Sequence, residues 1–163
     1  MPIIQCLFFY NKSILEQAGV NEIPKTYSEF REACKKVTEM GNGNIYGLID
    51  GGKQMNRMDV MARSLAAAAG GKVAATQKVL TDNGVAPYDS KEMNEALGLI
   101  KGLVDDGSIH PDTINVSAPE ARELVLHRDK QHFSAKECGV YPSGMQIILT
   151  SNMELWQFLF LMG

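Results

Sequence analysis

Residues 7–12 read LFFYNK and residues 23–30 read IPKTYSEF, and these two stretches decide the fold class. The first stretch ends an apolar, aromatic-rich run over residues 3–10, which is the pattern of a buried strand. The second contains Thr26 and Glu29, whose spacing is that of a capping box opening a helix. A short helix signal between the two stretches stops at Gly19. This order of strand and helices predicts a mixed α/β or α+β domain.

The helix that begins near Thr26 has a clear apolar face. Its apolar residues recur at three- and four-residue steps and are Tyr27, Phe30, Cys34 and Val37. Cys34 lies on this face, so we expect a buried, inert thiol. Residues 45–50 then predict a strand, residues 51–54 a loop, and residues 58–69 an Ala-rich helix.

A second amphipathic helix is predicted after residue 89. Its expected buried face consists of Met93, Leu97, Ile100 and Val104. Asp89 and Glu92 form the expected cap pair at its start, and Gly107 the expected stop. Residues 117–120, SAPE, form a further capping box. Residues 78–80 and 82–84 predict a short strand and a turn.

Composition excludes several classes of function. The chain has 163 residues, 45% of them hydrophobic, which is enough for one domain with a sizeable core. Sixteen Lys and Arg against nineteen Asp and Glu give a net charge of -3 without a basic block. That balance argues against nucleic acid or an anionic membrane surface as the main partner. Three cysteines are an odd number and define no disulfide framework. The first residues lack the pattern of a signal peptide.

Three later stretches continue the order that LFFYNK and IPKTYSEF begin. They are YDSKEMNEAL at residues 88–97, IKGLVDDGSIHPD at residues 100–112 and EAREL at residues 120–124. Together the five stretches resemble the extracellular solute-binding proteins of ABC importers, particularly the carbohydrate-binding family that includes maltose-binding protein. The resemblance covers residues 7–124. Since that family is two-lobed and much longer, the resemblance indicates a partial chain.

The resemblance implies a fold and a function. The implied fold is α/β, of the periplasmic-binding-protein-like type II, and here mainly an incomplete C-terminal lobe. The implied function is capture of a sugar or oligosaccharide between two lobes and delivery to a membrane permease, with no bond made or broken. The implied location of the full-length protein is periplasmic or extracellular, peripheral to the membrane. No enzyme activity, catalytic residue, metal or cofactor is expected.

The candidate binding residues lie in the loop after the predicted strand at residues 45–50. They are Asp50, Lys53, Gln54, Asn56 and Arg57. Ligands of α/β domains bind at the carboxyl ends of strands, and these side chains can hydrogen-bond sugar hydroxyls. The resemblance places the loop near the cleft between the lobes. A solvated polar loop is the alternative for each residue singly.

Other chemistry has weaker support in the sequence. His127, His132 and Cys138 do not have the spacing of a zinc site. Cys34 with His110 could form a nucleophile pair, which would make the chain a thiol hydrolase. A free-standing small α/β interaction domain is the other alternative. Tyr10 and Tyr46 are expected in the core rather than as platforms for a ligand.

Residues 125–163 depart from the resemblance and form an atypical tail. A shifted reading frame joins the last base of each codon to the first two bases of the next codon. Since most amino acids have several codons, each shifted codon permits more than one amino acid, and one permitted sequence resembles the family's next segment. Some amino acids of that sequence are determined uniquely, because Met and Trp in the given frame have single codons. We therefore predict a partial lobe over residues 1–124 and a frame-shifted tail over residues 125–163. The tail would lack an aromatic that in this family stacks on a sugar ring, so weak or absent sugar binding is expected.

Overall fold

The computed structural model describes residues 5–54, 56–69, 89–126, 134–139 and 153–157. The elements in chain order are β1 Gln5–Asn11, α1 Lys12–Gln17, α2 Tyr27–Gly41, α3 Arg57–Ala68, α4 Lys91–Asp105, a 3-10 turn Pro111–Ile114, α5 Ala118–Leu126, β2 Ser134–Gly139 and β3 Met153–Gln157. Within these described ranges, none of the helices is both long and apolar enough to span a bilayer.

The three strands form one antiparallel sheet with β1 in the centre. The strand order is β2-β1-β3. Phe8 is the residue of β1 that lies opposite Ala135 on one side and Trp156 on the other. Tyr10, near the end of β1, is 3% exposed, so it belongs to the core as the sequence predicts. The predicted strand at residues 3–10 is confirmed over the part that the structure describes.

The end of α1 and the beginning of α2 lie where the local sequence predicts. Gly19 has a positive φ of 72°, which suits a residue without a side chain, and it follows the end of α1. Thr26 caps α2 by accepting a hydrogen bond of 3.2 Å from the Glu29 amide. The Glu29 carboxylate accepts from the Lys25 amide at 2.6 Å, one residue earlier than in a standard capping box. Asn42, with a φ of 45°, closes α2 in the left-handed region.

The core lies where α2, α3 and α4 meet. Its largest cluster of buried residues comprises Tyr10, Ile14, Leu15, Phe30, Cys34, Val37, Leu48, Met61, Ala62, Leu65, Ala66, Met93, Ala96, Leu99 and Leu103. Phe30, Cys34 and Val37 confirm the predicted face of α2, since each is at most 1% exposed. Ile49, Ala121 and Val125 form a second, smaller cluster that packs α5 against the chain near the candidate loop.

The predicted face of α4 is right for Met93 and for Ile100, which is half-buried and packs against the core, and wrong for its other two residues. Met93 is buried as expected, but Leu97 is 48% exposed and Val104 is 59% exposed. The buried face instead continues through Ala96, Leu99 and Leu103. Both stripes start at Met93 and carry apolar side chains at helical spacing, so the sequence alone does not distinguish them.

The predicted cap of α4 is also shifted. Ser90, rather than Asp89, caps the helix, and its hydroxyl accepts a hydrogen bond of 3.2 Å from the Met93 amide. Either residue type can fill this position, so one residue of displacement leaves the capping chemistry unchanged. Gly107, with a φ of 65°, ends the helix as predicted.

The predicted strand at residues 45–50 is not a regular strand. Leu48 forms an isolated parallel bridge with Ile109. The Leu48 amide donates to the Ser108 carbonyl at 2.9 Å, and the His110 amide donates to the Leu48 carbonyl at 2.8 Å. The pairing is short because its partner segment lies between the end of α4 and the 3-10 turn that begins at Pro111. The predicted strand at residues 78–80 and turn at residues 82–84 lie outside the described residues.

Candidate functional site

The candidate loop connects the Leu48 bridge to the start of α3 and lies against the N-terminus of α5. A Cβ atom at Gly51 would lie 2.1 Å from the Ala118 amide nitrogen. A Cβ atom at Gly52 would lie 2.7 Å from the Thr113 carbonyl oxygen. Glycine is therefore required at both positions, because a side chain would push the loop away from the start of α5 at Gly51 or from the 3-10 turn at Gly52.

Backbone hydrogen bonds hold the loop in this place. The Gly52 amide donates to the Thr113 carbonyl at 2.8 Å, and the Lys53 amide donates to the Val116 carbonyl at 3.1 Å. The Arg57 amide donates to the Gln54 carbonyl at 2.9 Å, which connects the loop to the first turn of α3. The loop is thus anchored both to its own helix and to the segment before α5.

Two of the five predicted site residues are buried and paired with each other. Asp50 is 2% exposed and Arg57 is 8% exposed. An Arg57 Nη2 atom donates to Asp50 Oδ1 at 2.7 Å, and the Gly51 amide donates to the same oxygen at 2.7 Å. The structure therefore brings Asp50 and Arg57 together beneath the loop.

The other three predicted residues lie on the outer side of the loop. Lys53, Gln54 and Asn56 are all exposed. Lys53 is close enough to Glu120, in the first turn of α5, to act on its carboxylate electrostatically. Hydrogen bonds from the Ser117 amide and hydroxyl lower the pKa of Glu120, and the charge of Lys53 lowers it further. Lys53 and the Glu120 carboxylate thus lie near each other, and the exposed amides of Gln54 and Asn56 belong to the same loop.

Sequence reasoning missed the neighbours that the loop acquires from α5. Ser117 and Glu120 were expected only as a capping box, and the structure shows the Glu120 half of it: the Ser117 amide and hydroxyl each donate to a Glu120 carboxylate oxygen at 2.7 Å. Their approach to Lys53 joins parts of the chain that are distant in sequence. The two glycines at positions 51 and 52 were the available signal, because adjacent glycines permit close backbone contact.

The structure contradicts Cys34 as a nucleophile. A reactive cysteine is accessible and has a lowered pKa. Cys34 is fully buried, and its burial raises the pKa of the thiol above the ordinary value. Among the residues that the structure describes, no three His, Cys, Asp or Glu side chains cluster as metal ligands would. His127 and His132 lie outside the described residues.

Tyr46 differs from Tyr10 in its surroundings. Its side chain is half-buried, and its ring meets the ring of His110 edge-on, with the centroids 4.9 Å apart. That contact stabilises the segment before the candidate loop against the segment after α4.

The sequence matches the profile of the family described as bacterial extracellular solute-binding protein over residues 5–152. The chain belongs to this family. A search of curated proteins gives no significant match. Membership agrees with the resemblance seen in the sequence and favours a solute-binding protein over a free-standing interaction domain. The matched range extends beyond Leu124, and the frame-shifted tail stays a prediction.

Solved structures of solute-binding proteins share the fold of this family member. A sugar transporter protein from Arthrobacter chlorophenolicus with bound laminaribiose matches with a TM-score of 0.61 and 21% identity, over 80% of this chain and 31% of its own. A solute-binding protein from Thermotoga lettingae bound with α-D-tagatose matches with a TM-score of 0.59 and 28% identity, over 80% of this chain and 32% of its own.

A third structure, concerned with xylan utilization by Caldanaerobius polysaccharolyticus, matches with a TM-score of 0.67 and 19% identity, over 93% of this chain and 37% of its own. The solute-binding chain described here therefore spans about a third of the length of these structures. Its fold is part of a type II periplasmic-binding-protein α/β fold, as the sequence predicts.

Proposed function

We propose that this chain is part of the sugar-binding component of an ABC importer. The observation that carries the proposal is the family match over residues 5–152. Two similar structures, which contain laminaribiose and α-D-tagatose, support a carbohydrate as the ligand class. The proposed ligand is therefore a sugar or an oligosaccharide.

The proposed contact surface is the outer side of the loop at residues 51–56. Lys53, Gln54 and Asn56 are exposed there and offer an ammonium group and two amides. Such groups donate to and accept from sugar hydroxyls. The loop's backbone bonds to Thr113 and Val116 support the proposal, because a fixed loop loses less conformational entropy when a ligand binds. Asp50 and Arg57, the buried pair beside the loop, are also part of the proposed site.

The proposed mechanism of the full-length protein is capture and delivery. Two lobes close on the sugar about a hinge, and the closed protein docks on a membrane permease. The proposed location is periplasmic or extracellular, peripheral to the membrane. No bond is made or broken, so no catalytic residue is assigned.

The chain by itself is expected to bind sugar weakly or not at all. A site between two lobes surrounds its ligand, whereas one loop surface leaves much of the ligand in water. Calorimetric titration with laminaribiose, maltose and α-D-tagatose measures this affinity directly. Clear micromolar binding by this chain would contradict the expectation.

Saturation-transfer NMR detects weak binding and tests the proposed surface. The variant combining Lys53→Ala, Gln54→Ala and Asn56→Ala should lose the signal transferred to the sugar. A control combining Lys36→Ala, Gln17→Ala and Asn94→Ala removes the same exposed residue types elsewhere and should keep it. Equal signals from the two variants would contradict the assignment of the loop, and no signal from the unmodified chain with any of the three sugars would contradict sugar binding by this part of the protein.

A further inference from the structure

We propose that Asp50 and Arg57 are a positioning pair for the candidate loop and do not contact the ligand. Their buried ion pair holds the loop against residues 113–118, so that Lys53, Gln54 and Asn56 are presented in one arrangement. The inference that the pair affects sugar binding rests on the proposed function. The inference that the pair fixes the loop does not.

The pair joins the two ends of the loop. Asp50 immediately precedes residues 51–56 and Arg57 immediately follows them, and the Arg57 Nη2 atom lies 2.7 Å from Asp50 Oδ1. A contact between the two ends restricts the conformations open to the residues between them. The Gly51 amide donates to the same Asp50 oxygen at 2.7 Å, so the first turn of the loop depends on this carboxylate as well.

The loop's contacts with residues 113–118, which run from the 3-10 turn to the first residue of α5, start at the residues beside the pair. Gly51 and Gly52 lie so close to Ala118 and Thr113 that neither could carry a Cβ atom. The bonds from the Gly52 and Lys53 amides to the Thr113 and Val116 carbonyls require that approach. A loop released at one end can move away from residues 113–118, and these two amides would then be exposed to water.

Burial separates this role from ligand contact. Asp50 is 2% exposed, and Arg57 is 8% exposed. An Asp50 side chain that turned outward to reach a sugar would leave the Arg57 charge buried without it, which is strongly unfavourable. The exposed neighbours, by contrast, can reach a ligand without breaking a buried contact.

The same helix provides a matched control pair. Asp59 and Arg63, both on α3, form an ion pair whose nitrogen–oxygen distance is also 2.7 Å. The Asp59 side chain is 43% exposed, and the pair connects successive turns of one helix rather than the ends of a loop. Loss of this pair should therefore have little effect on the position of the loop.

Hydrogen exchange measured by mass spectrometry on the full chain, without sugar, tests the proposal. We expect Asp50→Asn to accelerate exchange of the Gly52 and Lys53 amides by at least about tenfold, since a broken buried pair exposes the contacts it supports. Arg57→Lys is the milder second variant and should accelerate the same amides. Peptides from α2 should change much less. Asp59→Asn and Arg63→Lys should leave the loop within about twofold of the unmodified chain.

Two results would overturn the proposal. One is unchanged loop exchange in both variants of the pair, which is what a ligand-contacting role alone would give in the absence of sugar. The other is equal acceleration of the loop and of α2, which would mean that the pair stabilises the whole domain instead of positioning the loop. A lack of sugar binding would contradict the proposed function and leave this exchange result standing.

Discussion

The hydroxyl of Tyr27 donates a hydrogen bond of 2.8 Å to the backbone carbonyl of Leu65. The bond connects the first turn of α2 to the interior of α3, across 38 positions of sequence. The Leu65 carbonyl also accepts from the Ala69 amide at 3.0 Å, at the end of α3. Since α3 begins at Arg57, a contact that places this helix also helps to place the candidate loop.

Tyr27→Phe removes this hydroxyl and keeps the ring. We expect the free energy of unfolding to fall by about 0.5–1.5 kcal/mol, the net contribution of one hydrogen bond within a protein. The Leu65 carbonyl keeps its bond from Ala69, so it is not left without a donor. Urea unfolding followed by circular dichroism measures the change. An unchanged midpoint and slope would contradict the stabilising role of the bond.

Two leucines of α4 test which face of the helix is buried. Leu103 is 1% exposed and Leu97 is 48% exposed. Leu103→Ala should lower the free energy of unfolding by about 2–5 kcal/mol, because it leaves a cavity in the core. Leu97→Ala, the same substitution on the same helix, should change it by less than about 0.5 kcal/mol. Denaturant unfolding of both variants measures the difference, and equal losses would contradict the observed orientation of α4.

The buried thiol of Cys34 should make the free energy of unfolding fall at alkaline pH. Burial raises the pKa of this thiol in the folded chain, so the folded state keeps its proton after the unfolded state has lost it. The stabilisation of the folded state by the protonated thiol is complete below the ordinary thiol pKa of about 8.5. It decreases as the pH rises above that value. We expect unfolding free energies measured at about pH 7 and about pH 10 to differ less in Cys34→Ala than in the unmodified chain. An identical difference would contradict the prediction.

Asp106 should titrate at lower pH than an ordinary aspartate. Arg31, on α2, donates to both oxygens of its carboxylate, at 2.5 Å and 2.8 Å, and this hydrogen bonding lowers the pKa of Asp106. The resulting stabilisation is present above the pKa of the unfolded carboxyl group and is lost as the pH falls through the lowered value. In Arg31→Gln the pKa should return toward its ordinary value, whereas Lys36→Gln on the same helix should have a smaller effect. NMR titration of the Asp106 carboxyl carbon gives both values, and equal pKa values in the two variants would be evidence against the role of Arg31.

The sequence predicts best the features that depend on neighbouring residues. Thr26 with Glu29, the stop at Gly19 and the buried face of α2 each involve residues within one or two helical turns. Their chemistry is therefore visible in a short stretch of sequence. The family resemblance succeeded for a related reason, since it rests on the order of several such local stretches.

Predictions that depend on distant partners were less successful. The orientation of α4 is determined by its packing against α3, and either of its two apolar stripes could have faced inward. Residues 45–50 are apolar enough for a strand, but the partner segment around Ile109 is too short for a regular ladder. Asp50 and Arg57 are buried at the place where Gly51 approaches Ala118, which is far along the chain. Nothing in the local sequence distinguishes a paired aspartate from an exposed one.

The frame-shifted tail over residues 125–163 remains a prediction that DNA can decide. The gene should be sequenced repeatedly across codons 120–130. A second reading frame that continues as family-like protein would support the shifted frame. A second frame that closes at once would contradict it.

The most direct test of the account is a map of backbone amide shifts during titration of the isotope-labelled chain with laminaribiose and then with α-D-tagatose. Because any binding by this part of the protein is expected to be weaker than micromolar, we expect shifts that saturate only at much higher sugar concentrations, at residues 51–56 and at the neighbouring start of α5, with the amides of α2 and α4 unchanged. Saturable shifts centred on any other surface, with residues 51–56 unchanged, would contradict the assignment of this loop as the sugar-binding surface.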